Sequence, residues 1–249
     1  MIGNCWHLPD SPELDIAALS RIFDKVTNSY KYLFFLSLLD ILKRRQLDVE
    51  APITFREIII EMLANAWYPY TYFQLSFGTQ DQITSSLDAL NVPSSQAVIP
   101  FNDRDKEQLR QIISTCNLDQ IVKRLTRFVP FRLLSPFLDS EIKAEKIDKG
   151  KGTKLEYAIP AIAANLFYSQ KPLYCFGSSE HTQVKAWEYK DCISLIIHPA
   201  WGLYLENNYT SVKSWASWHW LDYMKQKNTH IADIAGKLFT SQERAFLPD

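Results

Sequence analysis

The chain has 249 residues, of which 47% are hydrophobic and 13% aromatic, with only seven glycines and a formal net charge of −1. This length and apolar content suffice for one large or two small globular domains with a real core, and the low glycine count argues against a low-complexity chain. Because the whole chain is nearly neutral, it is not a polycation, and any surface that binds anions must be local.

Apolar spacing predicts helices through the first half of the chain. Residues 13–25 repeat apolar side chains at helical intervals. Residues 27–45 are apolar nearly all round and end in three cations, which suits the helix macrodipole, so we predict that this is the central core helix. Further helices are predicted at 53–70, 103–115 and 117–128, with a loop at 91–102 and a turn or helix between prolines after residue 128.

The most polar stretch of the chain is residues 139–154. It reads as the tail of a helix followed by a loop, which makes it a candidate boundary. We predict a helical core domain over 1–138 and a smaller α+β region over 155–249, with one continuous domain as the alternative.

The second half contains the only strong strand patterns. Two apolar, β-favouring runs, "PLYCF" (172–176) and "CISLII" (192–197), are predicted to pair as an antiparallel ribbon. Helices are predicted near 155–169, 199–226 and 230–239. The fold class is therefore mainly α: a multi-helix globular domain with one small antiparallel β-ribbon near residues 172–197.

Cysteine usage and hydropathy bear on the compartment. The four cysteines are scattered without a C-x-x-C pair, which favours reduced, buried thiols over a disulfide framework. The N-terminus lacks the basic and apolar regions of a signal peptide, and the most apolar run, Tyr32 to Leu42, is too short to span a bilayer. We expect a cytoplasmic protein with no membrane role.

A nuclease-like metal site is one candidate for catalysis. His198 directly follows the strand "CISLII", Asn207 and Asn208 come next, and His219 lies in the following helix, which is the order of a ββα-metal centre. No acidic residue neighbours His198, however, and His219 lies among three tryptophans. Packing is therefore the favoured interpretation, and a nuclease built on these two histidines is the less favoured one.

Other catalytic motifs are missing from the sequence. There is no G-x-S-x-G and no G-x-x-x-x-G-K-[ST], and seven glycines leave little room for a loop that cradles phosphate. P-loop, Rossmann and α/β-hydrolase chemistry are thus disfavoured. The tryptophan-rich segment, "SVKSWASWHWLDYMKQKN", is interpreted as core or interface rather than as a platform for stacking bases.

A local excess of positive charge marks the segment from Val122 to Lys154. It contains nine cations against four anions. The candidate nucleic-acid-binding residues are four cations at its start: Lys123, Arg124, Arg127 and Arg132. The spacing of the first three predicts one shared helix face, which would attract phosphates without reading sequence. The alternative is an ordinary solvated helix face followed by a lysine-rich loop.

Four separated strings together resemble one family. "HLPDSPELDIAALSRIFDKVTNSYKYLFFLSLLDIL", "ITFREIIIEMLANAWYPYTYFQLSFGTQDQI", "LTRFVPFRLLSPFL" and "WASWHWLDYMKQKN" resemble the N-terminal region of bacterial HNH endonuclease domain-containing proteins. The resemblance runs from about Trp6 to Pro248. In such proteins the catalytic HNH unit follows the region that ends here at "KLFTSQERAFLPD", so no catalytic or metal-binding residue carries over to this chain. We expect a piece of a longer nuclease, a subunit of a split one or a relative without nuclease activity.

The resemblance implies a setting in restriction or anti-phage defence, with DNA as a partner. The expected function is that of a non-catalytic nucleic-acid-binding and regulatory module. The alternative is a scaffold subunit that docks a protein partner, or an HNH-bearing subunit, through an aromatic surface. No cofactor is expected in the chain itself, since a divalent metal is implied only for a following HNH unit. The oligomeric state is left open.

Overall fold

A computed structural model of the chain describes residues 7–24, 26–90, 92, 103–144, 152–178, 192–239 and 241–244. Its contacts divide the chain into two compact units that are interleaved in sequence. The sheet unit consists of Met1–Asp24, Leu42–Phe55 and Thr126–Tyr209, and the helical unit consists of Lys25–Ile41, Arg56–Leu125 and Thr210–Asp249. The sequence predicted a single domain boundary at 139–154 instead. Residues 145–151 of that segment lie outside the described part of the chain.

The chain is mainly helical with one small antiparallel sheet, which confirms the predicted fold class. In chain order the first elements are α1 (Ile16–Ser20), α2 (Tyr30–Arg44), β1 (Ile53–Thr54), α3 (Phe55–Trp67), a π-helical turn (Tyr68–Tyr72), α4 (Gln82–Asp88), α5 (Asp103–Thr115) and α6 (Asp119–Leu125). The later elements are α7 (Val129–Leu134), a 3₁₀ turn (Ser135–Leu138), α8 (Asp139–Ala144), α9 (Gly152–Leu166), β2 (Tyr174–Gly177), β3 (Ser194–Ile197), α10 (Pro199–Lys227), α11 (Ile234–Leu238) and α12 (Ser241–Arg244). The predicted loop at 91–102 lies outside the described residues, apart from Val92.

The sheet has the order β1-β3-β2, and both pairings are antiparallel. The predicted ribbon is confirmed, with Tyr174 opposite Ile197 and Gly177 opposite Ser194. A Cβ on Gly177 would lie 2.5 Å from the Ser194 hydroxyl, so a larger residue there would require the Ser194 side chain to move. The expectation of a helix from residue 53 is wrong by two residues, because Ile53 and Thr54 pair with β3 first.

Aromatic packing holds the sheet unit together. Phe131 of α7 stacks on Phe176 of β2 with ring centroids 4.9 Å apart. The Tyr174 hydroxyl donates to the Pro130 carbonyl oxygen at 2.5 Å, and the Trp201 indole donates to Lys171 at 2.8 Å. These contacts hold α7 against the sheet, and they position the side chains at the start of α7.

The helical unit has α2 in its core, as predicted. Leu33, Phe34, Phe35, Leu38 and Leu39 of that helix are fully buried. The adjacent helix α3 is equally apolar, and the Asn65 side chain links it to α2 through Ser37 and Asp40, at 3.3 and 3.1 Å. A helix that is apolar on most faces is stable only inside a core, which is where α2 lies.

The tryptophan-rich part of α10, beyond a kink at Asn208, is also core. Trp215 and Trp220 are buried, and Trp220 stacks with Tyr223 at 5.9 Å. Trp218 is 37% exposed and lies beneath the ammonium group of Lys225. The interpretation as core therefore describes two of these three tryptophans.

Two further observations concern thiols and membranes. Cys116, Cys175 and Cys192 are free thiols, and the latter two are buried. In the portion of the chain that the structure describes, no helix combines the length and the apolar character needed to cross a membrane.

Candidate nucleic-acid interface

The four predicted cations are all exposed, but they do not share one helix. Helix α6 ends at Leu125, so Lys123 and Arg124 lie in its last turn whereas Arg127 lies in the turn that follows. Arg132 belongs to α7. The first two residues are part of the helical unit and the last two are part of the sheet unit. The expectation that Lys123, Arg124 and Arg127 share a helix face is therefore wrong for Arg127.

Within the helical unit, Lys123 and Arg124 differ in their surroundings. Arg124 donates from Nη2 to the hydroxyl of the buried Ser86 at 2.8 Å. This bond commits part of the guanidinium to α4. Among the described residues Lys123 has no hydrogen-bond or ion-pair partner, so no such contact restrains its flexible side chain.

Within the sheet unit, Arg127 and Arg132 both lie over the ring of Phe128. Their guanidinium carbons are 4.8 and 4.7 Å from the ring centroid. A cation held over an aromatic face gains about 0.5–1 kcal/mol at an exposed site, and it is oriented by the contact. Neither arginine pairs with a carboxylate at salt-bridge distance in the described part of the chain. Two guanidinium groups are thus held in place with their N–H edges available to an external anion.

Contacts with β2 hold the start of α7 in place. Pro130 lies in the first helical turn, where no N–H is needed, and its carbonyl accepts from Tyr174. Val129, Phe131 and Leu133 are buried, whereas Phe128 is half-buried. The positions of Arg127 and Arg132 are therefore set by the core of the sheet unit.

A buried carboxyl, Glu156 of α9, lies near the two arginines. Its exposed fraction is 2%, and its Oε1 atom has no hydrogen-bond partner in the described structure. Burial raises the pKa of Glu156 to about 7, although the charges of Arg132 and Arg127 act in the opposite direction. Sequence reasoning did not find this residue. The available signal was that Glu156 is the only acid in the apolar stretch "LEYAIPAIAANL".

The histidines considered for catalysis occupy packing positions. His198 precedes α10, where its Nδ1 accepts from the Ala200 N–H at 3.1 Å and its ring meets Phe167 edge-on at 4.9 Å. Burial and the charge of Lys171 lower its pKa. In the helical unit, His219 lies 5.1 Å from Trp215. Within the described ranges, no three histidine, cysteine or acidic side chains form a group that could hold a metal ion.

The helical unit contains an ionic cluster that the sequence did not reveal. It consists of three carboxylates and three cations from distant segments: Asp40, Glu61, Glu243, Lys106, Arg110 and Lys213. Four of them line a cavity of about 20 Å³, which has room for roughly one water molecule.

The charges of this ionic cluster satisfy one another. Lys106 Nζ lies 2.8 Å from Glu243 and 3.7 Å from Asp40, and Lys213 Nζ lies 2.5 Å from Asp40. Burial opposes ionisation of Asp40, yet Lys213 and Lys106 lower its pKa to about 2. Each charge has an opposite partner, so the cluster stabilises the unit and does not form an open binding site.

No family model, curated protein or solved structure matches this chain.

Proposed function

We propose that this chain is a non-catalytic nucleic-acid-binding and regulatory module of an HNH-type restriction or anti-phage nuclease. One observation carries the proposal: Arg127 and Arg132 are exposed, are both held over Phe128, and lack a carboxylate at salt-bridge distance among the described residues. The resemblance to the region before an HNH unit gives the setting.

Phosphate recognition follows from the properties of the guanidinium group. Its planar fork matches two phosphate oxygens, and it is always charged. Side chains that are already ordered lose less entropy on binding, which favours affinity. Because both arginines cover the ring of Phe128, the ring holds the cations and does not stack a base. We expect the two arginines to contact the phosphate backbone of the nucleic acid and to show no sequence preference.

Lys123 and Arg124 are proposed as secondary contacts. Arg124 already donates to Ser86, so less of its hydrogen-bonding capacity is available to a phosphate. Lys123 contributes a mobile point charge, which adds to electrostatic attraction more than to geometry. We expect Arg127 and Arg132 to dominate.

Strand cleavage is assigned in this proposal to an HNH unit elsewhere, which would hold the divalent metal. His198 supports this assignment because its Nδ1 accepts a backbone N–H and its ring is packed against Phe167. A general base needs a free nitrogen within reach of its substrate. The role of this chain is then to hold the substrate.

The test is the salt dependence of DNA binding, measured by fluorescence anisotropy with labelled duplex and single-stranded DNA. For Arg127→Ala/Arg132→Ala we expect at least tenfold weaker binding at low salt and a log–log salt slope flatter by about two. The control Lys143→Ala/Lys237→Ala removes the same charge elsewhere and should bind much like the parent protein.

Equal affinity of the arginine variant and the parent protein would contradict the proposal. The alternative function is docking of a protein partner through aromatic side chains. It predicts that the affinity for this partner is insensitive to salt concentration. Among the described residues, Tyr168 in the sheet unit is the most exposed large apolar residue available for it, at 82%. Single exposed residues of this kind are common on any protein, so DNA binding is the better supported function.

A further inference from the structure

Glu156 is an unusual group to find near an anion-binding surface. It projects from α9, which packs against α7, β2 and the 3₁₀ turn. Its side chain is 98% removed from solvent, and Oε1 lacks a hydrogen-bond partner in the described structure. A buried carboxylate oxygen without a hydrogen bond makes ionisation costly, so the neutral acid is favoured.

Among the described residues of α9 and of the elements packed against it, Glu156 is the group expected to change charge near neutral pH. Arg132 on α7 and Arg127 just before it stay positive throughout. On β2, burial raises the pKa of Cys175 to about 12 and that of Tyr174 well above its usual value, so both are neutral. The 3₁₀ turn carries no charged side chain, and the exposed Tyr157 follows Glu156 on α9.

We propose that Glu156 regulates anion binding at the Arg127–Arg132 pair, which binds a phosphate backbone more tightly when this carboxyl is neutral than when it is ionised. The inference rests on the proposed function, and it adds a control on the same site. Neutral Glu156 leaves two uncompensated positive charges. Ionised Glu156 offsets part of this charge, because α9 packs against α7.

Binding of phosphate and binding of a proton should be coupled at this site. Burial places the pKa of Glu156 at about 7 in the free protein. A bound phosphate adds negative charge nearby and raises this pKa further, so binding takes up a proton. By reciprocity, proton loss weakens the binding of the phosphate by the same factor. We expect binding to be roughly fivefold weaker at pH 8.5 than at pH 6.

The test compares DNA binding at pH 6, 7 and 8.5 and constant ionic strength for the parent protein, Glu156→Gln and Glu206→Gln. Glu156→Gln removes the titrating charge and should bind at pH 8.5 about as tightly as at pH 6. Glu206 is an exposed acid on α10 of the sheet unit, and its variant should keep the pH dependence of the parent protein. Any slope left in Glu156→Gln reports other groups, such as histidines.

A second measurement uses the parent protein alone and therefore does not require a folded variant. Calorimetry of the parent protein with DNA is carried out at pH 7 in buffers of different ionisation enthalpy. It should show uptake of a fraction of a proton for each Arg127–Arg132 pair that binds DNA. If Glu156→Gln is unstable, Glu156→Met keeps the volume without the charge. Equal pH slopes in the parent protein and the Glu156 variant, or no proton uptake, would overturn the inference.

Failure of the two proposals can be told apart. If Arg127→Ala/Arg132→Ala binds DNA like the parent protein, the proposed function itself is wrong. If that variant loses binding while Glu156→Gln keeps the full pH slope, the binding site stands and only its regulation by Glu156 is refuted.

Discussion

Lys213 of α10 donates to Asp40 of α2 at 2.5 Å, and both side chains are largely withdrawn from solvent. Lys106 approaches the other carboxylate oxygen at 3.7 Å, and Asn65 donates to the same oxygen at 3.1 Å. One carboxylate thus joins four segments of the helical unit. Its removal would leave the ammonium group of Lys213 without its carboxylate partner, whereas Lys106 would keep Glu243 and Glu61.

Asp40→Asn should destabilise the protein by about 3–5 kcal/mol, because it leaves the buried Lys213 cation uncompensated. Urea unfolding followed by circular dichroism measures this loss. Asp222→Asn, a change at an exposed position of α10, is the control and should alter the free energy of unfolding by less than about 0.5 kcal/mol. Equal effects of the two substitutions would mean that the ionic cluster does not stabilise the fold.

Leu38→Ala should cost about 2–5 kcal/mol, since Leu38 is fully buried in α2 and its truncation leaves a cavity. Leu203, which is 62% exposed on α10, provides the matched substitution. Leu203→Ala should be nearly neutral in the same unfolding experiment. A loss below about 1 kcal/mol for Leu38→Ala would place α2 at the periphery of the core.

Arg124→Ala should cost about 1 kcal/mol, because it removes the donor to the Ser86 hydroxyl, whereas Lys123→Ala should change stability by less than about 0.5 kcal/mol. The two substitutions remove the same charge from adjacent positions of α6. Thermal unfolding of both variants tests the difference. An equal effect would show that the bond to Ser86 contributes nothing to folding.

Stability should depend on pH through Glu156. Burial raises its pKa to about 7 in the folded protein, above the ordinary value of 4.5. The stabilisation is therefore complete below pH 4.5, and it is lost as the pH rises to about 7.

We expect this pH effect to be about 1–2 kcal/mol, after a discount for solvent screening of the partly buried carboxyl. Urea unfolding at pH 5 and pH 8 should show the loss in the parent protein. Glu156→Gln should lose less stability than the parent over the same range. The same loss in both proteins would assign the pH dependence to other groups.

Residues 1–249 should not nick plasmid DNA with Mg²⁺, Mn²⁺ or Zn²⁺, because the proposed module holds DNA and does not cut it. Agarose electrophoresis of supercoiled plasmid measures this. His198→Ala is the informative variant: metal-dependent nicking that disappears in it would establish a catalytic centre in this chain.

The sequence alone determined the elements that are set by local periodicity. Helix α5 was predicted at 103–115 and has those bounds, and the ribbon "PLYCF"–"CISLII" pairs as expected. Apolar residues at a period of 3.6 or in β-branched runs encode such elements within a short window. The end of α6 was placed three residues too late: the helix ends at Leu125, and α7 begins at Val129 with Pro130 in its first turn.

Only the tertiary structure decided which groups became special. Two residues such as Ile53 and Thr54 have no periodicity, and they form a strand because β3 is there to pair with them. The six charges of the ionic cluster come from segments that are far apart in sequence. Glu156 has an ordinary side chain whose pKa is raised by burial, and burial is a property of the packed fold that no local pattern encodes.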